Sequence, residues 1–202
     1  RVMVVEIMGH KVGWLGLYSG IASAADVILL PEIPYDINKI GEFIKNRQKA
    51  GYNYSIIACS EGAKNLEEGK MTKKEFKKAR EHMSQSIGFR VAKELEAITG
   101  IETRTSVLGY IQRGGSPSPY DKVLATQIGT AAADFLANKD FGKLVAMNGG
   151  KIESVPLSTV ASGVKSIPMD DPMLLTARKL GICLGDWYNF WRKVKMQSMH
   201  KV

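Results

Sequence analysis

Apolar and polar positions fall into two kinds of pattern along this chain. Short, mainly apolar runs rich in β-branched side chains occupy residues 2–8, 26–30 and 54–59, and a β-branched stretch holding Arg104 occupies 102–108; each predicts a strand, the first of a type that suits burial on both faces of a sheet. Between them apolar side chains recur every three or four residues. Trp14, Leu17, Tyr18 and Ile21 form one such stripe, and Ile40, Phe43 and Ile44 form another, each predicting a helix with one buried face. Asp36 is placed to cap the second helix and Gly51 to close it. One long helix is expected from about residue 74 to 98, closed by Gly100, then a helix of small residues over 125–136. Two strands at 143–148 and 151–155 turn at Gly149-Gly150, and Asp171-Pro172 opens a helix running toward Gly181. Strands alternating with helices of ten or more residues predict an α/β fold with a mainly parallel sheet.

Composition narrows the class. Hydrophobic residues at 45% and charged residues at 24% are values of a globular protein and exclude wholesale disorder. A net charge of +8 fits an anionic ligand, nucleic acid, or a soluble basic surface. The basic residues are dispersed, without zinc-finger spacing or the aromatic and basic signature of RNA-binding modules, which argues against nucleic acid. Cys59 and Cys183 lie in apolar surroundings and resemble buried thiols of a reducing compartment more than a disulfide framework. No signal peptide and no apolar run of the ~20 residues that span a bilayer is present, so a cytoplasmic protein is expected. The sequence begins at Arg1, inside a predicted strand and without an initiator methionine, which points to a fragment.

Candidate chemistry sits where the predicted strands end. Glu6, inside the first run, is a paired core acid or a site residue. Gly9, Gly13, Gly16 and Gly20 recur at helical spacing and predict a smooth ridge for close approach, with Gly9 also placed to meet a ligand. His10 is a phosphate or hydroxyl partner, or a helix-start residue facing water. Glu61, just before Gly62 at the end of the third run, stands where open α/β sheets bind ligands. Residues 64–78 carry both charge signs densely and read as a solvated loop and a first helical turn. Arg104, within a strand, requires an anion or a sheet edge. The aromatic group Trp187, Tyr188, Phe190 and Trp191 reads as core or subunit contact.

Residues 106–121, Ser-Val-Leu-Gly-Tyr-Ile-Gln-Arg-Gly-Gly-Ser-Pro-Ser-Pro-Tyr-Asp, bring a strand end, the cation Arg113, two glycines and a helix start together. Ser118 fits an N-cap, with Pro119 at the first helical position and Asp121 completing a variant capping box. Such a stretch is a phosphate site or an ordinary strand-to-helix turn.

Four blocks stand in order: Val5-Glu6-Ile7-Met8-Gly9-His10 with Gly13-Trp14; Leu30-Pro31-Glu32; Glu102-Thr103-Arg104; and Leu108 to Pro117 with its Gln-Arg-Gly-Gly-Ser-Pro core. Together they resemble the C-terminal half of a 6-phosphofructokinase over nearly the whole chain. The run from Asp171-Pro172 to Leu180-Gly181 is similar to the branch that mixes ATP-dependent and pyrophosphate-dependent members. The resemblance implies a three-layer α/β/α, Rossmann-like phosphofructokinase fold, incomplete here. It implies a fructose 6-phosphate-binding subdomain at 1–110, a segment at 111–165 returning toward a nucleotide-binding domain, and a C-terminal helix and tail at 166–202.

By the same resemblance Tyr110 and Arg113 hold the 6-phosphate, while Arg1 and Arg104 reach that phosphate in a neighbouring subunit's site, so the enzyme would be a homo-oligomer, dimer or tetramer. Glu61 accepts bonds from sugar hydroxyls, and Met8, Gly9 and His10 lie along the sugar. Two positions depart from the commonest pattern: His10 stands where many members have arginine, and Tyr110 where many have histidine. The family's Gly-Gly-Asp-Gly phosphate and Mg2+ loop and the aspartate of its Thr-Ile-Asp segment, the presumed base, do not occur in these 202 residues. The implied reaction is phosphoryl transfer from ATP or pyrophosphate to the 1-hydroxyl of fructose 6-phosphate, a step of glycolysis, with this half supplying substrate binding. The rival reading is a non-catalytic sugar-phosphate binding or regulatory module.

Overall fold

The computed structural model describes residues 1–81, 85–161 and 163–186; the aromatic group and the basic tail expected near the end lie outside the described residues. The described chain forms two compact units, Arg1–Gln112 with the segment from Ser166, and Arg113–Lys165.

The first unit is built on four parallel strands, β1 (Val2–Ile7), β2 (Val27–Leu29), β3 (Ser55–Ser60) and β4 (Thr103–Val107), in the order β2-β3-β1-β4. Val4 faces Ile57 on one side and Thr105 on the other, so β1 is buried between neighbours and its apolar run follows from that position. Beyond β2, Cys183 adds a parallel bridge to Val27. Alternate residues feed two cores. Val27, Leu29, Ile57 and Cys59 face α2 (Ile37–Lys49) and α4 (Ile87–Thr99), while Ile28, Leu30 and Ala58 face α1 (Trp14–Ala22) and α7 (Pro172–Lys179). The parallel α/β sheet expected from the pattern, and the α/β/α layering that the resemblance implies, are what the first unit adopts. Leu17 is fully buried under α1, and burial of one such side chain stabilises by about 1.5–3 kcal/mol.

Local signals set several element ends where the sequence places them. Asp36 accepts the Asn38 amide at 2.9 Å, and Asp171 accepts that of Met173 at 2.9 Å ahead of Pro172. The glycine ridge is shorter than expected, because α1 starts at Trp14 and only Gly16 and Gly20 belong to it. A Cβ on Gly20 would come within 2.6 Å of Ile28 Cδ1 and 3.2 Å of Ala58 Cβ; the missing side chain is what lets α1 lie flat on the sheet.

The single helix expected over 74–98 is two helices, α3 (Lys73–Glu81) and α4. Ser86 is extended (ψ 161), and Glu6 Oε2 accepts the Gly88 amide at 2.7 Å. The buried acid of β1 thus satisfies an amide in the first turn of α4, where negative charge is favoured by the helix dipole. Glu6 is therefore a paired core acid.

The second unit holds α5 (Pro119–Ala137), the hairpin β5 (Lys143–Asn148) and β6 (Lys151–Pro156), and α6 (Leu157–Ala161). Ser118 and Asp121 exchange both bonds of a capping box. Positive φ at Gly149 (54°) and Gly150 (81°) makes the two-residue turn that matches strand twist.

Candidate functional site

At the carboxyl ends of β1 and β3 the backbone leaves the sheet and four predicted site residues meet. The Glu61 amide continues the ladder by donating to Ile7 O at 2.8 Å. Its side chain then turns back, and Oε1 accepts the amides of Gly9 at 3.2 Å and His10 at 2.6 Å. Met8 donates its own amide to Gln112 Oε1 at 2.9 Å, which ties the 3-10 turn Gly109–Arg113 to the same strand end. Gly9 is required here: its φ is 155°, and a Cβ would stand 2.7 Å from Val12 O. His10 holds left-handed backbone at φ 53°, a conformation costing roughly 1–2 kcal/mol for a residue with a Cβ, and its short bond to Glu61 opposes that cost. A Cβ on Gly62 would collide with His10 O, so the two loops touch backbone to backbone. A carboxylate oxygen, main-chain amides and a glycine loop at strand ends can bind and orient hydroxyl groups.

Tyr110 stands in the 3-10 turn and is 81% exposed. Arg113 closes that turn as the first residue of the second unit. Gln112, whose side chain crosslinks the turn to Met8, was not singled out by residue type; its place inside the Gln-Arg-Gly-Gly-Ser-Pro block was the available signal.

Arg1 and Arg104 are elsewhere. Arg104 lies on the edge strand β4 in register with Met3, at the amino ends of the strands. Both guanidiniums converge on Glu102: Arg1 Nε at 3.1 Å from Oε2, Arg104 Nε and Nη2 at 2.8 and 2.6 Å from Oε1. The hydrogen bond from Arg104, with the two positive charges, holds the Glu102 carboxyl below its ordinary value. These side chains are exposed, and such pairs are weak enough for an incoming dianion to displace. At about 3.3 Å per residue, the five residues from Met3 to Met8 set the two clusters on the order of 15 Å apart. The predicted residues of the first unit therefore divide between opposite ends of one sheet.

Residues 64–78 are not simply a solvated loop. Glu68 is only 6% exposed and accepts a two-pronged pair from Arg90, Nη1 to Oε1 at 2.6 Å and Nη2 to Oε2 at 2.8 Å. Burial alone would raise its pKa; the hydrogen bonds from Arg90 and the Asn65 amide, with the charges of Arg90 and Arg80, outweigh that and hold it below the ordinary value. Both cysteines are free, and burial pushes the Cys59 thiol far up and Cys183 up to about 11. Among the described residues no three His, Cys, Asp or Glu side chains group to hold a metal ion, so no step is assigned to a metal bound by them. No helix of the described residues is long and apolar enough to cross a membrane.

A doubly covered parallel sheet with a polar cluster at its strand carboxyl ends defines the open α/β class, in which ligand sites lie at that edge. The particular family follows from comparison: the phosphofructokinase profile matches residues 1–136, and the chain belongs to that family. It is 50% identical over 187 residues to an ATP-dependent 6-phosphofructokinase of Spirochaeta thermophila, covering 92% of this chain and 51% of that protein. It is 47% identical over 185 residues to ATP-dependent 6-phosphofructokinase 3 of Bacteroides thetaiotaomicron, covering 92% and 50%. The chain thus spans about half the length of the curated relatives it matches. Among solved structures, Saccharomyces cerevisiae phosphofructokinase superposes with a TM-score of 0.66 at 30% identity, over 80% of this chain and 20% of that one. A pyrophosphate-dependent phosphofructokinase from Marinobacter aquaeolei gives 0.65 over 91% and 45%, and at 22% identity the likeness is one of fold alone.

Proposed function

We propose that this chain is the fructose 6-phosphate-binding half of a 6-phosphofructokinase that transfers a phosphoryl group from ATP or pyrophosphate to the sugar's 1-hydroxyl. The observation that carries this reading is the convergence of the Gly9 and His10 amides on Glu61 at the strand ends, within a chain of this family. In the reaction the 1-hydroxyl oxygen bonds to the terminal phosphorus of the donor, the bond to the leaving phosphate breaks, and the hydroxyl proton passes to a base contributed outside these residues. This chain's part is to hold the sugar. Glu61 accepts its hydroxyls, Met8, Gly9 and His10 border it, and Tyr110 and Arg113 bind the 6-phosphate. Arg1 and Arg104 serve the corresponding phosphate of a neighbouring subunit, for which their place at the other end of the sheet argues.

Phosphoryl transfer depends on positioning and charge neutralisation more than on covalent chemistry, so a binding half is a necessary but insufficient part. Mg2+ and the donor are assigned to the remainder of the longer protein. The second unit supports that division: none of α5 is buried, and Val123, Leu136 and Phe141 stay exposed, apolar surface that a longer chain would cover. The names of the curated relatives favour ATP. The test is a coupled assay of the full-length protein with ATP and with pyrophosphate, beside this chain alone. Turnover by the full-length protein only is expected; turnover by the isolated chain contradicts the division of labour, and sugar-phosphate binding without turnover by the full-length protein supports the regulatory module instead.

A further inference from the structure

A cluster outside every recognised motif sits behind Glu61. After β3 the chain runs from Glu61 to the 3-10 turn Glu68–Lys70. Glu68 and Asn65 exchange bonds: the Asn65 amide reaches Glu68 Oε2 at 3.1 Å, and the Glu68 amide reaches Asn65 Oδ1 at 2.8 Å. Arg90, from α4, makes the two-pronged pair with Glu68 and also meets the Tyr35 hydroxyl at 3.2 Å. Arg80, from α3, behaves differently. It stacks its guanidinium 5.0 Å from the Phe76 ring centre and pairs with Glu68 through Nε, 3.6 Å from Oε1. Its two prongs go to main-chain oxygens: Nη1 donates to Glu61 O at 3.3 Å, and Nη2 to Ala63 O.

Were ion pairing Arg80's whole role, both prongs would face the carboxylate as Arg90's do, since the bidentate geometry is the stronger one. Arg80 instead makes an offset ion pair, with Nε buried and making no hydrogen bond, while both prongs hold the loop. The main chain of Glu61 is thereby held from behind by a cation that a buried carboxylate fixes, while its side chain holds the Gly9 and His10 amides in front.

We propose that Arg80 and Glu68 are positioning residues for Glu61, setting the carboxylate that receives the sugar and so tuning affinity for fructose 6-phosphate without touching it. The proposal rests on the reading of Glu61 as a sugar-binding group. The Gly9 and His10 amides are held by the Glu61 carboxylate and Arg80 holds the Glu61 main-chain oxygen, so the effect argued here passes through Glu61, and that is measurable as coupling.

The experiment is a double-mutant cycle in the full-length protein with Arg80→Ala, Glu61→Gln and the pair, reading the fructose 6-phosphate dissociation constant by calorimetry, KM, kcat and Tm. Arg80→Ala is expected to weaken sugar-phosphate binding about tenfold, with kcat within about twofold of wild type. In the Glu61→Gln background the same substitution is expected to change binding less than about twofold, although it lowers Tm equally in both. Glu68→Gln, which keeps the volume and removes the charge, is expected to act in the same direction and serves if Arg80→Ala does not fold. Additive effects on binding, or a fall in Tm with binding unchanged, overturn the positioning role and leave Glu61 as a sugar ligand. Unchanged binding in Glu61→Gln itself overturns both.

Discussion

At the scale of single residues, the site depends on charge held in place by main-chain groups. Arg113 is the cation assigned to the 6-phosphate, and hydrogen bonds to charged groups contribute about 1.5–3 kcal/mol. Arg113→Ala in the full-length protein is therefore expected to weaken fructose 6-phosphate binding by about that amount in calorimetry; unchanged binding removes Arg113 from the site. Glu68 makes a prediction of its own. Its folded-state pKa lies below the ordinary 4.5, so the folded state binds the proton less readily than the unfolded one. The resulting stability is fully present above the unfolded value and is lost as pH falls through the lowered folded value. Thermal unfolding followed from neutral pH down through the carboxylate range is expected to show a shallower acid decline for Glu68→Gln than for wild type, and parallel curves count against the cluster.

At the scale of elements, packing of α1 against β2 and β3 sets the strand ends from which Gly9 and Glu61 project. Gly20→Ala places a methyl against Ile28 and Ala58, both buried. Overpacking of this kind costs about 1–3 kcal/mol, expected as a lowered urea midpoint with an unchanged slope; a midpoint equal to wild type contradicts the packing described for α1. Which elements were legible follows from the range of the interactions that define them. Strands β1 to β3 announce themselves by apolar runs and β4 by its β-branched residues, and Asp36, Ser118 and Asp171 mark helix starts through bonds to amides two or three residues away. The break between α3 and α4 was not legible, because Glu6 and Gly88 meet only once the sheet has formed. Glu68 was missed for the same reason: within a run of charges nothing local distinguishes the acid that Arg80 and Arg90 bury.

At the scale of the whole molecule, the candidate site was legible in part. Glu61, Gly9 and Met8 converge as their positions at strand ends imply. The separation of Arg1 and Arg104 from them follows from β4 running parallel to β1, with Arg104 beside Met3, a consequence of register that residue order does not display. The proposed substrate site draws on both ends of the sheet and, on that proposal, is completed by another copy of the chain. In symmetric oligomers such sharing permits complementation between differently damaged subunits.

The most direct measurement mixes two full-length variants, Arg104→Ala and Arg113→Ala, by unfolding and refolding them together. Each variant alone has every shared site damaged. Random mixing into dimers builds undamaged sites amounting to about a quarter of the wild-type number, so activity is predicted to rise in the mixture well above either variant alone. If the mixture shows only the average of the two separate variants, Arg104 and Arg113 do not serve a site shared between subunits, and the central claim is contradicted.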